Sequence, residues 1–159
     1  MHSFEPFCEE LRYLVGLWEP RLNALTEGVI SKRRNSQNRT IRQILGHLVD
    51  SASNNTHRMV HLQYRPSPMQ FPNYATEGNN DRWIAIQDYQ HEDWRIIVQL
   101  WKYANLHVIH VISHVDPEKL NNQWQAGENR LISLKDMITE YLNHFKLHLS
   151  EIDELIRGK

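Results

Sequence analysis

Apolar side chains recur at steps of three and four along four separate stretches of this chain, the period of a helix buried on one face. No stretch reads as a strand. Phe4, Phe7, Leu11, Leu14, Trp18, Leu22 and Leu25 mark a first helix over about residues 4–28. Pro20 predicts a kink or break near Glu19, and Gly28 a stop. Residues 31–39 are polar and read as a loop. Thr40 has Gln43 three residues on, the signature of a capping box. A second helix therefore runs from 41 to about 64 on Ile41, Ile44, Leu45, Leu48, Ala52, Met59 and Leu62, stopped by Pro66 and Pro68. A third covers about 92–115, with Trp94, Ile97, Val98, Trp101, Val108 and Ile112 on its apolar face. A fourth covers 134–156, opened by Ser133 with Asp136 three residues on and ended by Gly158. Residues 65–91 form a long irregular connection between helices two and three. Its Phe71, Tyr74, Trp83 and Tyr89 predict packing over the bundle, with a short helical turn around 81–87. Residues 116–132 read as a second polar connection. The expected fold is all-α: one four-helix-bundle domain over residues 1–159.

Charge and cysteine content narrow the function classes. Lys and Arg number 18 against 19 Asp and Glu, so the phosphate-neutralising surface of a nucleic-acid binder is not expected. The single cysteine, Cys8, excludes an intramolecular disulfide and a Cys-rich zinc site. Acidic Glu9 and Glu10 beside it disfavour a reactive thiolate. No apolar run is long enough to span a bilayer, and the N-terminus lacks a basic start and apolar stretch, so a cytoplasmic protein is expected. There is no Gly-rich phosphate loop and no G-x-S-x-G elbow.

The chain has ten histidines. Three pairs, His57/His61, His110/His114 and His144/His148, have the i,i+4 spacing that sets two imidazoles one turn apart on a helix face. Spacing alone does not choose between them. His57 and His61 sit amid Arg58, Gln63, Tyr64 and Arg65 and read as surface. His107, His110 and His114 read as a polar seam, and spacing leaves open whether one of them enters a pocket. His144 and His148 share a face with Met137, Tyr141, Ile152 and Leu155, which points them partly inward. His47 follows Gly46 in a similar position on the second helix. Two histidines from one helix and one from another make a three-nitrogen site with open coordination positions, as catalytic zinc sites have.

These residues carry a family resemblance. Ile44-Leu45-Gly46-His47-Leu48-Val49-Asp50-Ser51, followed by His144-x3-His148-Leu149, resembles the DinB/YfiT superfamily. Ser51-Ala52-Ser53-Asn54-Asn55-Thr56-His57-Arg58, Phe71-Pro72-Asn73-Tyr74, Trp101-Lys102-Tyr103-Ala104-Asn105 and the segment from His114 to Leu120 resemble one branch of it, so the resemblance spans about residues 40–152. The chain departs from the pattern at Arg39-Thr40, where relatives often have Trp-Ser, so the 31–40 loop loses an apolar anchor. The resemblance implies an up-down-down-up bundle, often a homodimer, with a divalent metal held by His47, His144 and His148. It also implies chemistry seen in relatives, which include thiol-dependent S-transferases, a thiol-dependent isomerase and proteins described as metal-dependent hydrolases. The family name refers to DNA-damage induction, not to DNA binding.

The expected function is a metal-dependent enzyme acting on a small molecule. Zn²⁺, Ni²⁺ or another first-row ion would activate water or a low-molecular-weight thiol cosubstrate. Asp50 and Ser51, one turn from His47, are candidates to orient the ligands, as are Tyr141 and Glu151 near His148. Asn54 is a candidate to line the pocket, with Tyr74 and Trp83 closing its mouth. The competing reading is a non-catalytic dimeric bundle that acts as a binding or stress-response module.

Overall fold

The computed structural model describes residues 4–158; residues 1–3, part of the stretch read for a leader, and residue 159 lie outside the described residues. The chain forms α1 (Glu5–Asn23), α2 (Glu27–Lys32), α3 (Ile41–Leu62), β1 (Met69–Gln70), α4 (Asn79–Gln87), α5 (Trp94–Ser113), β2 (Gln123–Gly127), β3 (Arg130–Ser133) and α6 (Leu134–Arg157). The long helices α1, α3, α5 and α6 are the four expected apolar stripes. Their starts follow from the sequence. Thr40 Oγ1 accepts from the Gln43 amide at 3.3 Å while Gln43 Oε1 accepts from the Thr40 amide at 3.0 Å, completing the capping box of α3. Asp93 caps α5 and Ser133 caps α6 through side-chain oxygens. Gly158, at φ 76°, ends α6 in the left-handed conformation that glycine adopts without a Cβ penalty.

Cross-helix contacts set the direction of each helix. Trp94 Nε1 donates to Leu22 O, and Lys102 pairs with Glu19, so α1 and α5 are antiparallel. Arg42 reaches Glu92 O at one end and Gln63 accepts from Asp116 N at the other, so α3 and α5 are parallel. Ion pairs Glu10–Lys146 and Arg21–Asp153 make α1 and α6 parallel. This is the up-down-down-up bundle. Its core is continuous along all four helices, with Trp101 and Phe145 stacked at 5.8 Å between ring centres.

Three expectations change. The first stripe divides at residues 24–26, and Gly28 lies inside α2 rather than stopping a helix. Pro20 is accommodated within the last turn of α1, and the Leu22 carbonyl there takes its bond from Trp94. The polar connection 116–132 contains a hairpin, β2 antiparallel to β3, to which β1 adds in parallel. Only Trp124 and Ala126 of β2 face inward, too short an alternation to register in the sequence. The loop at 31–40 also keeps its packing without the tryptophan. Arg39 is buried and pairs with Asp81 of α4 at 2.8 Å, which ties α4 to the start of α3.

Candidate metal centre

Two helices bring the three singled-out histidines together. His47 lies on α3, two turns past the capping box. His144 and His148 lie one turn apart on α6, antiparallel to α3. His47 Nε2 is 3.2 Å from His144 Nε2, and His148 Nε2 is 3.0 Å from the same atom. The ligand atoms of all three lie within 4.8 Å of one another. His47 and His148 are 3% and 5% exposed.

The glycine before His47 has a steric reason. A Cβ on Gly46 would lie 2.3 Å from the Tyr89 ring, so only glycine lets Tyr89 lie flat on α3. From there the Tyr89 hydroxyl donates to Asp50 Oδ1 at 2.7 Å, and Gln87 Nε2 donates to the same oxygen at 2.7 Å. Burial outweighs these bonds and raises Asp50 to about 6. Asp50 thus anchors the segment after α4, and its Oδ2 has no partner among the described residues.

Electrostatics favour bare nitrogens in the cluster. Burial, then the neighbouring His148 and His144, lowers His47 from 6.5 to about 2. Burial, then His148 and the Arg39 and Arg58 guanidiniums, lowers His144 from 6.5 to about 3. Glu151 Oε2 accepts from His148 Nδ1 at 2.7 Å, so the proton of a neutral His148 sits on Nδ1 and Nε2 presents its lone pair to the cluster. Ser51 Oγ is 3.5 Å from His144 Nδ1. His47 Nδ1 is buried with no partner among the described residues. Two ring nitrogens with little affinity for protons, on His47 and His144, converge with the bare Nε2 of His148 where no donor can serve all of them. A cation suits such a set. Nitrogens at about 2.0–2.1 Å from a tetrahedral ion stand about 3.3–3.4 Å apart. The two measured separations are within a few tenths of that.

Beside the cluster opens a cavity of about 250 Å³, reached through His144 and lined by Ser51, Arg58, Tyr74, Trp124 and Met137 among others. Tyr74 lies across it, 6.1 Å from His47 between ring centres, and Trp83 backs Tyr74 edge-on at 5.6 Å. Burial pushes the Tyr74 hydroxyl up to about 12, so it stays protonated at neutral pH.

Not every candidate faces the cavity as expected. Asn54 turns back on its own helix and donates to Asp50 O at 3.0 Å, and it is Asn55, one residue on, that lines the cavity. Tyr141 lines the wall, but its hydroxyl donates to buried Asn105 at 2.6 Å and orients no histidine. His57, His107, His110 and His114 are exposed and stay outside. Arg58, grouped with surface residues by its polar neighbours in sequence, is buried. Trp124 was hidden in the connection that proved to be a hairpin. Neither had a periodic signal to reveal it.

The comparisons with known proteins agree with this architecture. The family model described as the DinB superfamily matches residues 11–152. No curated protein sequence matches the chain significantly. Among solved structures, the chain is similar to YfiT from Bacillus subtilis, described as a probable metal-dependent hydrolase with an unusual four-helix bundle topology. The TM-score is 0.76 at 16% identity, over 97% of this chain and 88% of that one. It is also similar to the mycothiol-dependent maleylpyruvate isomerase, with a TM-score of 0.71 at 11% identity, over 96% of this chain and 63% of that one. At such identities the likeness concerns the fold.

Proposed function

The chain belongs to the DinB superfamily, and from that premise we propose that it is a metal-dependent enzyme for a small molecule, with His47, His144 and His148 holding one divalent ion. The observation that carries this reading is the convergence of three ring nitrogens, from buried His47 and His148 and half-buried His144 on two helices, beside a cavity. When bound there, Zn²⁺, Ni²⁺ or a similar ion would activate a water or a low-molecular-weight thiol, the chemistry of a hydrolase or a thiol S-transferase. The chain's own residues do the rest. Glu151 holds His148 in the tautomer with Nε2 bare. Ser51 sits against the far nitrogen of His144. Tyr74, protonated at neutral pH, is a hydrogen-bond donor over the cavity. Trp83 and Tyr74 together exclude water from the His47 side. Cys8 takes no part: it is buried, its thiol donates to Ile109 O, and burial pushes its pKa up.

No helix among the described residues is long and apolar enough to cross a membrane. A homodimer remains part of the proposal, supported by the exposed Ile96, Leu100 and Tyr103 along one face of α5.

The test is elemental analysis of protein purified without a nickel column, beside the His144→Ala/His148→Ala variant. About one equivalent of metal, lost in the variant, is the expected result. No metal in the wild type, with no thermal shift on adding Zn²⁺, Ni²⁺ or Mn²⁺, overturns the reading.

A further inference from the structure

Three arginines are buried in the described part of the chain: Arg39, Arg42 and Arg58, at 4%, 7% and 5% exposure. A guanidinium out of water needs a counter-charge or a full set of acceptors. Arg39 has Asp81 and Arg42 has Glu27, at 2.8 and 2.6 Å. Arg58 has neither. It forms no ion pair among the described residues, and its one hydrogen bond is from Nε to Asn54 O at 3.3 Å. Its guanidinium carbon lies 4.2 Å over the Trp124 ring, which braces it and supplies only a partial counterweight to its charge. It is also the one of the three that lines the cavity beside His144. Burial lowers its pKa only to about 10, so it is a cation at neutral pH.

We propose that Arg58, braced on Trp124, is the anion-binding end of the cavity, and that the substrate carries a carboxylate joined by an apolar spacer to the group that reacts at the histidines. Charge and shape select the class. At the mouth, exposed Arg130 and Glu140 offset each other, so Arg58 leaves the cavity one net positive charge, which suits a monoanion better than a phosphate dianion. Ile132, Met137 and Ala75 supply apolar wall for the spacer. Ser51 and Arg58 are seven residues apart on α3, an axial rise of about 10 Å. The arginine side chain leans back toward the helix N-terminus and shortens that span. A spacer of several methylenes fits.

The word "substrate" rests on the enzyme reading above, but the anion site can be tested without metal. Metal-free ¹⁵N-labelled protein is titrated with hexanoate, hexan-1-ol and inorganic phosphate, following the indole N–H of Trp124, which donates to Phe71 O. Trp124→Phe assigns the signal. Hexanoate is expected to bind at least about tenfold tighter than hexan-1-ol, as a charged hydrogen-bonded pair outweighs a neutral one. Phosphate is expected to bind more weakly than hexanoate. Arg58→Gln should abolish the preference for acid over alcohol, and Arg58→Lys should retain part of it. Equal binding of acid and alcohol by the wild type overturns the proposal and needs no variant to fold. So does a preference that survives Arg58→Gln, or phosphate binding as tightly as hexanoate. A preference for hexanoate in a protein that takes up no metal would leave the anion site standing and remove the enzyme reading. Metal uptake without that preference would do the reverse.

Discussion

The His110/His114 pair on α5 and the His144/His148 pair on α6 have the same spacing and nearly the same ring separation, 4.3 and 4.4 Å between centroids. Their surroundings differ in every other respect. His110 and His114 face solvent at the end of α5, and His114 Nδ1 is engaged with His110 O and Ser113 Oγ. His144 and His148 face α3, where His47 supplies a third nitrogen. Spacing on one helix yields a pair of ligands. A closed site also needs a facing helix to complete the set and a dry surround to keep protons off it.

Zn²⁺ affinity separates the two pairs most sharply. Zn²⁺ binding by calorimetry should vanish in His144→Ala/His148→Ala and remain unchanged in His110→Ala/His114→Ala. Loss of binding in the α5 variant instead would show that an exposed pair suffices and that convergence with His47 is incidental.

The second effect concerns acid. His47 and His144 are held near 2 and 3 in the folded protein, against 6.5 when unfolded. Their lowered values mean that the unfolded chain takes up protons first as pH falls below 6.5. Stability in metal-free protein is therefore complete above 6.5 and declines below it. Asp50, raised from 3.8 to about 6, has the opposite sign: its protonation favours the folded state as pH falls through 6. Two protons against one leave a net loss of about 1.4 kcal/mol per pH unit between pH 6 and 4. Urea midpoints across that range should show it. His47→Asn/His144→Asn should remove the acid loss, and the α5 variant should keep it. A wild-type slope in the first variant would sink the assignment of the acid loss to the cluster.

The sequence carried the bundle and the three histidines because both are written locally. The four stripes recur at helical steps, Thr40 and Gln43 are three residues apart, and Gly46-His47 and His144-x3-His148 are short motifs. What it did not carry depends on residues that meet only in the folded chain. Tyr89 has no local reason to lie on Gly46, nor has Arg58 to be covered by Trp124 from a hairpin more than sixty residues away. Asn54 and Asn55 differ by one position on α3, and only helix rotation decides which faces the cavity. Arg39, in place of a tryptophan, was legible as a departure, but its partner Asp81 was not.

Two helical glycines repeat the contrast on a smaller scale. Gly46 lies under Tyr89 beside the cluster, and Gly16 lies on the exposed side of α1 with nothing within 4 Å of where a Cβ would be. Gly46→Ala forces Tyr89 off α3 and with it the bond to Asp50, so overpacking should cost about 1–3 kcal/mol. Gly16→Ala adds a methyl to open space and removes glycine's conformational freedom from the unfolded chain, so it should stabilise by about 0.5–1 kcal/mol. In a chain of this size that is a rise of about 1–4 °C in the thermal midpoint. Calorimetry of both variants reads the sign directly. If Gly46→Ala is neutral, the Tyr89 contact is not what requires glycine before His47. If Gly16→Ala destabilises, the exposed face of α1 is not open, and something covers it in solution.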